Sequence, residues 1–329
     1  MPETGMCLDF LLYWKYDGYK QILSAEGWQM NAQAILREYR EGNRFDGNLL
    51  KGCMAMYRAA GDGHFRDAVL EYLDKDVSSD GQFPALNAEK GLAGKISYGE
   101  ALLFAWDETG EERYQAAAKQ LREQYTELDR QILPDSAVRG TLHPYQPFVI
   151  AYDSRFGDKQ SHKAAARCFQ CLRNHTFDGE KKLYRYKPAL NPPIQSAYDL
   201  RHNGGILLSL ADTIEQMDIQ LYEHYRVLAD VFLEATRGLI PYRSKSGLFA
   251  RDILNPDSEP DADGNMMAAY ALFKGVRLGL LDEEKYLPIA QDLMITANLH
   301  FGVCVSVDYP GQLSFGLMAE AERMEVEKR

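Results

Sequence analysis

The chain has few cysteines and no long apolar run. Its five cysteines are an odd number spread over 329 residues, which predicts free thiols in a reducing compartment and not a disulfide framework. A membrane helix needs about 18 continuous apolar residues, and no stretch approaches that length. The apolar stretch 7–14 is interrupted by Asp9 and lacks the basic flank and cleavage site of a secretory signal. We therefore expect a cytoplasmic protein with no membrane partner.

Basic residues are also in the minority, with 37 Lys and Arg against 48 Asp and Glu, a net charge of −11. Such a surface repels the phosphate backbone of nucleic acid, which is therefore not an expected partner. An anionic small substrate stays compatible with this charge. A few arginines that converge in a cleft outweigh a diffuse negative surface at contact distance.

Motifs for nucleotide and serine chemistry are missing as well. No Gly-rich phosphate loop follows a strand and no Gly-x-Ser-x-Gly elbow occurs, so we expect no cofactor. Cys168, Cys171 and His175 share one helix face. A structural zinc site takes its ligands from two chain segments, and the sequence has no second Cys/His pair to complete such a site. We interpret these as core cysteines and expect no metal.

What is present is a repeating unit, in which an apolar helical stretch, a Gly-acid turn and a second amphipathic stretch follow one another. A left-handed glycine ends the first helix, and the acid lies near the positive N-terminus of the next. This predicts antiparallel helical hairpins. Three copies span 50–73, 101–124 and 148–172, with turns at Gly61-Asp62, Gly110-Glu111 and Gly157-Asp158; looser copies span 206–235 and 266–294, and a segment at 313–321 would pair with helices within 10–39.

Long connections alternate with these short turns, at 74–97, 126–145, 174–201 and 238–265. This alternation places the long loops on one face of the helical array, where sites usually lie. Three connections carry a tight turn followed by a short extended piece, at 80–83, 178–184 and 246–249. No linker separates halves of the chain, so we predict one domain over residues 1–329.

Motif-like segments lie at Ile96–Phe104 with Glu108–Tyr114, His143–Gln146, Arg201–Gly204 and Ala268–Gly279. They resemble segments of the unsaturated glycuronyl and rhamnogalacturonyl hydrolases, glycoside hydrolase families 88 and 105, and the resemblance extends over roughly residues 45–320. The resemblance implies an all-α, six-hairpin (α/α)6 barrel with a substrate cleft at one end. It also implies an enzyme that removes a 4,5-unsaturated uronic acid from a small oligosaccharide. Such an enzyme protonates the double bond and adds water.

The chain departs from the family pattern at both acids that this chemistry uses. One aspartate of the family falls on Gly94, and the other falls on Gly140 or Ile150, depending on registration. None of these side chains can transfer a proton. The tryptophans expected around the Arg-x-Asn-Gly segment are replaced by Asp199 and Gly205, which removes stacking surface for a sugar ring.

Candidate site residues are therefore the polar groups left on the predicted loop face. For catalysis we consider an acid at Asp199 or Asp153 and an imidazole at His143; for substrate binding we consider Tyr145, Gln146, Arg201, His202 and Asn203, with Asp135 nearby. Arg201 suits a bidentate grip on a uronate carboxylate. Plainer roles are a solvated Asp153, an ion pair between Asp199 and Arg201, and an Arg201 that only stabilises its loop.

Three functions stay open on the sequence. The leading hypothesis is a glycoside hydrolase with a rearranged acid, and the second is a catalytically inactive sugar-binding or regulatory barrel. A third is a sugar epimerase, which would use His143 and His202 on opposite sides of the ring. The sequence does not identify the sugar, the linkage or the oligomeric state.

Overall fold

A computed structural model of the chain describes residue 37 and residues 47–83, 98–132, 145–157, 159–186, 197–301 and 310–329. From residue 47 onward these residues belong to one compact unit, Asp46–Arg329. Its elements are α1 (Gly47–Ala60), α2 (Gly63–Asp76), α3 (Gly99–Thr109), α4 (Glu112–Ile132), α5 (Tyr145–Phe156), α6 (Gln160–Thr176), β1 (Phe177–Asp178), β2 (Leu183–Tyr184), α7 (Leu200–Gln216), α8 (Tyr222–Leu239), a 3-10 turn (Ile240–Tyr242), α9 (Ala262–Arg277), α10 (Glu283–Phe301) and α11 (Pro310–Glu327).

The odd-numbered helices form a closed inner ring. Each packs on the next, from α1 through α3, α5, α7 and α9 to α11, and α11 packs back on α1. Each even-numbered helix packs outside the inner helix that precedes it. The predicted all-α, six-hairpin (α/α)6 barrel is thus confirmed. The predicted partner of α11, within 10–39, lies almost wholly outside the described residues, and the single domain over residues 1–329 stays a prediction.

The short turns of the first two hairpins follow the expected physics. Gly61 and Gly110 both adopt φ +70°, and their N–H groups donate to carbonyls four residues back at 2.8 Å. Asp62 caps α2 by accepting a hydrogen bond of 3.0 Å from the backbone N–H of His64. The third turn differs from the prediction, because Gly157 does not take a left-handed φ.

The turns in the long connections fold as predicted. Strands β1 and β2 pair antiparallel, with Asp178 opposite Leu183. In the other two connections, the N–H groups of Ser78 and Ser244 each donate across a turn to a carbonyl four residues later at 2.9 Å. No described helix has the length and apolarity that a bilayer crossing requires.

Gly238, near the end of α8, allows the β1–β2 turn to approach the outer helix. A Cβ at this position would lie 1.9 Å from the backbone oxygen of Lys182, a residue held at φ +59°. A backbone atom cannot rotate away from such a clash. The hairpin therefore depends on a hydrogen atom at this one position.

We predict that Gly238→Ala lowers the free energy of unfolding by about 2 kcal/mol or more, because the added methyl group overpacks a rigid contact. Urea denaturation gives the change. Gly63→Ala is the matched control, because nothing lies within 4 Å of a Cβ there. Equal urea midpoints for Gly238→Ala and Gly63→Ala would contradict a close contact between Gly238 and the backbone of Lys182.

Candidate active site and the ion network on the barrel axis

The first turn of α7 holds four of the predicted site residues. Asp199 is the N-cap, and its Oδ1 accepts a 3.0 Å hydrogen bond from the N–H of His202. The side-chain amide of Asn203 is fully engaged with backbone: its nitrogen donates to the carbonyls of Tyr184 and Asp199 at 3.0 Å, and its oxygen accepts from the N–H of Tyr184 at 2.9 Å. Asn203 therefore fastens β2 to the start of α7.

The same arrangement recurs at the start of α9. Asp261 caps this helix through a 2.8 Å bond from the N–H of Gly264. Asn265 exchanges two hydrogen bonds with the backbone of Phe249, at 2.9 and 3.0 Å, and donates to the carbonyl of Asp261 at 2.7 Å. An Asp-x-x-x-Asn cap thus anchors the preceding turn to each of these two inner helices.

Arg201 pairs across this end of the barrel with the cap of α9. Its Nε lies 2.9 and 2.8 Å from the two carboxylate oxygens of Asp261, and an Nη lies 3.2 Å from Asp263. The expected partner Asp199 is not within ion-pair distance. The Arg201 side chain is 47% exposed, so Asp261 orients a guanidinium that still reaches solvent.

Asp199 differs from Asp261 and Asp263, which both contact Arg201. It is half-buried and makes no ion pair with a described residue. Burial raises the pKa of its carboxyl group, and the negative charge of Asp261 adds to this effect. A carboxyl group in such surroundings is suited to hold and donate a proton.

His202 is enclosed, with 9% of its surface exposed and its ring packed edge-on against Tyr186, 5.2 Å between centroids. Its buried Nε2 has no hydrogen-bond partner among the described residues. Burial lowers the pKa of His202 to about 4. The imidazole is therefore neutral at pH 7.

Two further predicted residues lie at the start of α5. Tyr145 and Gln146 are both 4% exposed in the first turn of α5, and Ile150 is completely buried one turn further. Ile150 is therefore a core residue. Asp135 and His143 lie outside the described residues, as do Gly94 and Gly140.

Asp153 lies near the other end of α5, one turn before its last residue. Arg122 on α4 donates hydrogen bonds to both carboxylate oxygens of Asp153, at 3.0 and 2.8 Å. The residue is 8% exposed, so it is not the solvated side chain that the plain interpretation describes. This contact fastens an inner helix to an outer helix, away from the start of α7.

The cysteine cluster considered for a metal also has a local explanation. Cys168 is buried in α6, and the Nδ1 of His175 contacts the carbonyl of Cys171 at 2.8 Å and its sulfur at 3.5 Å. Across the described ranges, no three His, Cys, Asp or Glu side chains are grouped so that they could hold a metal ion.

A network of buried charges lies on the axis of the ring. Lys274 on α9 is 4% exposed; its Nζ lies 2.7 Å from Asp212 and 2.5 Å from Glu215, both on α7, and 2.8 Å from the hydroxyl of Tyr270. Lys51 on α1 joins the same Asp212 at 2.7 Å to Glu100 on α3 at 2.6 Å.

Arg277 extends this network to the last inner helix. Its Nε lies 2.6 Å from Glu322 on α11, and it also contacts Glu215. The network therefore joins α1, α3, α7, α9 and α11 through alternating charges.

Mutual attraction dominates the titration of this network. Burial alone would lower the pKa of Lys274, but the charges of Asp212 and Glu215 outweigh it and raise that pKa well above its usual range. Burial likewise would raise the pKa of Glu215, yet Lys274 and Arg277 lower it to about 2. The pKa of Asp212 is lowered for the same reason. Each charge is retained because its partners are present.

Sequence reasoning missed this network, although a signal exists. Single charged residues interrupt the apolar stretches of the inner helices, as Lys51 does after Leu49-Leu50, Asp212 after Leu210-Ala211 and Lys274 after Leu272-Phe273. A lone charge on an otherwise apolar helix face indicates a buried partner on another helix. The identity of that partner does not follow from the pattern.

These features define a helical toroid with polar groups where the inner helices begin. The family model for Glycosyl Hydrolase Family 88 matches residues 22–296. The chain belongs to this glycoside hydrolase family, as its sequence motifs indicate.

Solved structures of low sequence identity share the fold. A family 105 glycoside hydrolase of C. acetobutylicum ATCC 824 has a TM-score of 0.74 at 19% identity, covering 91% of this chain and 100% of its own. A family 88 hydrolase of Bacteroides vulgatus gives 0.73 at 14%, covering 92% and 99%. The unsaturated glucuronyl hydrolase of Bacillus sp. GL1 gives 0.60 at 14%, covering 91% and 95%.

The buried imidazole predicts a pH dependence of stability. The folded-state pKa of His202, about 4, lies below the unfolded value of 6.5, so the unfolded chain binds the proton more tightly. Neutral His202 thus makes its full contribution to the free energy of unfolding above pH 6.5. This contribution is lost as the pH falls toward 4. We expect the unfolding free energy of wild type relative to His202→Asn to fall by about 3 kcal/mol over that range. The control is His300→Asn, at an exposed histidine. If the difference in unfolding free energy between wild type and His202→Asn did not depend on pH, the His202 imidazole would not be enclosed as described.

The axial network predicts a large cost for removing one charge. Lys274→Met leaves Asp212 and Glu215 buried without their main partner, and we expect a loss of about 3–5 kcal/mol in the free energy of unfolding. Lys75→Met, which removes an exposed i,i+4 pair with Glu71, should cost about 0.5 kcal/mol or less.

A double variant separates charge from packing in this network. Asp212→Asn combined with Lys274→Met should cost less than the sum of the two single changes, because each change removes the charge that the other leaves unpaired. Strict additivity in denaturant titrations would show that the two groups do not interact.

Proposed function

We propose that this protein hydrolyses an oligosaccharide that ends in an unsaturated uronic acid, with Asp199 as the proton donor and Arg201 as the group that binds the uronate carboxylate. Family membership supports the reaction class, and the neighbour from Bacillus sp. GL1 is described as an unsaturated glucuronyl hydrolase. The observation that carries the assignment is the position of Asp199, a half-buried carboxyl group at the start of α7, two residues from the exposed guanidinium of Arg201. Burial raises the pKa of Asp199, although the charge of Arg251 acts in the opposite direction.

The proposed reaction needs one group that first gives and then regains a proton. Protonated Asp199 donates its proton to the double bond, and water adds to the resulting oxocarbenium ion. The Asp199 carboxylate then takes a proton from that water, so the acid is regenerated. The product is a hemiketal at C5, whose ring opens to leave a hemiacetal at C1, and this hemiacetal releases the remaining sugar as an alcohol. The Asp261 carboxylate holds the guanidinium of Arg201 in place, and the exposed part of the guanidinium is available to a carboxylate.

A catalytically inactive sugar-binding barrel is the second candidate. Glycines and a core isoleucine stand where the family has its two aspartates, at Gly94 and at Gly140 or Ile150. Asp199 also has a purely structural explanation, since Asp261 caps α9 in the same way. The epimerase hypothesis lacks a comparable observation, because one of its two histidines, His143, lies outside the described residues.

A cytoplasmic location belongs to the proposal as well. The five cysteines are an odd number spread along the chain, which supports a reducing compartment. The protein would then act on small oligosaccharides that have already entered the cell.

The test follows the ultraviolet absorbance of the conjugated double bond in a panel of unsaturated uronate disaccharides. We expect wild type to remove this absorbance and Asp199→Asn to lose about a hundredfold or more in kcat, the usual contribution of a positioned acid. Asparagine caps helices about as well as aspartate, so the fold of this variant is preserved.

Two controls separate catalysis from capping. Asp261→Asn keeps the cap of α9 but loosens Arg201, so it should raise KM more than it lowers kcat. Asp153→Asn weakens the contact with Arg122 and should leave kcat within about twofold. Full turnover by Asp199→Asn would remove Asp199 as the donor, and binding of a disaccharide without turnover by wild type would favour the inactive barrel.

A further inference from the structure

A cavity of about 160 Å³ lies on the axis of the ring, and all six inner helices contribute to its lining. The side chains at its inner end, Tyr270 and Lys274, are buried. Those from the last turns of α1 and α5, Arg58 and Arg155, are exposed. The cavity therefore opens where the inner helices end, opposite to the start of α7 and Asp199.

The walls and the inner end of the cavity differ in chemistry. Apolar groups from Met54, Leu103 and Met318 line the sides. The carboxylate of Glu100 and the hydroxyl of Tyr270 lie deeper, next to Lys51 and Lys274. Further polar groups, among them Gln216 and Glu322, also line the cavity, so a ligand would meet apolar and hydrogen-bonding groups together.

Most charged groups that line the cavity are paired, including Glu215 with Arg277 and Glu325 with Lys328. Lys51, Arg155, Lys274 and Arg277 each contact a carboxylate, on Glu100, Asp107, Asp212 and Glu322 respectively. Arg58 has no carboxylate partner among the described residues; its guanidinium stacks over Phe104 at 5.8 Å. Stacking on a ring face leaves the planar edge of a guanidinium available to a carboxylate.

We propose that this cavity is a binding site for a small hydroxy acid, separate from the site at Asp199. The ligand carboxylate pairs with Arg58, and its hydroxyl groups donate hydrogen bonds to the carboxylate of Glu100 and the hydroxyl oxygen of Tyr270. The cavity volume of about 160 Å³ is comparable to that of a cavity that binds one small organic molecule. The proposal does not depend on the hydrolase activity.

Glycerate is the probe, because it carries one carboxylate and two hydroxyl groups. Glycerol lacks the carboxylate, and acetate lacks the hydroxyl groups. By isothermal titration calorimetry with the full chain, we expect saturable glycerate binding, with glycerol and acetate weaker by about tenfold or more.

Two variants locate the binding. Arg58→Gln should weaken glycerate by about tenfold or more, because a charge-assisted bond is lost, while Arg226→Gln, at an exposed arginine of α8, should leave it unchanged. Ala55→Leu fills the cavity without altering charge and should abolish binding.

Three results would overturn the proposal. The first is the absence of saturable glycerate binding to wild type. The second is glycerate binding that Asp199→Asn weakens and Arg58→Gln does not, which places the ligand at the start of α7. The third is equal affinity for acetate, which removes the role of Glu100 and Tyr270. None of these results bears on turnover of an unsaturated uronate.

Discussion

The ammonium group of Lys274 is buried where the inner helices converge, and the architecture depends on its neutralisation. It contacts Asp212 and Glu215 on a neighbouring helix, and Arg277 one turn further carries the same pairing to Glu322. A buried charge without these partners would cost several kcal/mol. The rotation of the five inner helices that this network joins is therefore constrained, which limits how their starts face one another.

Where α7 and α9 begin, the residues that cap the helices also belong to the candidate site. Asp199 and Asp261 close two inner helices with identical hydrogen-bond patterns, yet their electrostatics differ. Asp261 is neutralised by Arg201, whereas burial and the charge of Asp261 raise the pKa of Asp199. A cap uses a single carboxylate oxygen, so capping α7 is compatible with proton transfer.

Local patterns predicted most of the hairpins, because turn glycines and helical periodicity act over a few residues. Gly61 and Gly110 behave as expected, while Gly157 ends its helix without a left-handed residue. Pairings between distant residues were not predictable in the same way. The sequence suggested Arg201 with Asp199, two positions apart, and the barrel brings Asp261, sixty positions away, to the guanidinium instead.

The sequence by itself determined the helical hairpins, the family and the segment around Arg201 where the candidate site lies, because repeats, turns and motifs are local or ordered along the chain. Only the tertiary structure decided which charges meet. In the folded chain, Asp153 pairs with Arg122 and the side chain of Asn203 is hydrogen-bonded to the backbone of Tyr184. Lys51, Asp212 and Lys274 meet on the axis. The reason is physical: the strength of a charge pair depends on its distance and burial, and both arise only when the ring closes.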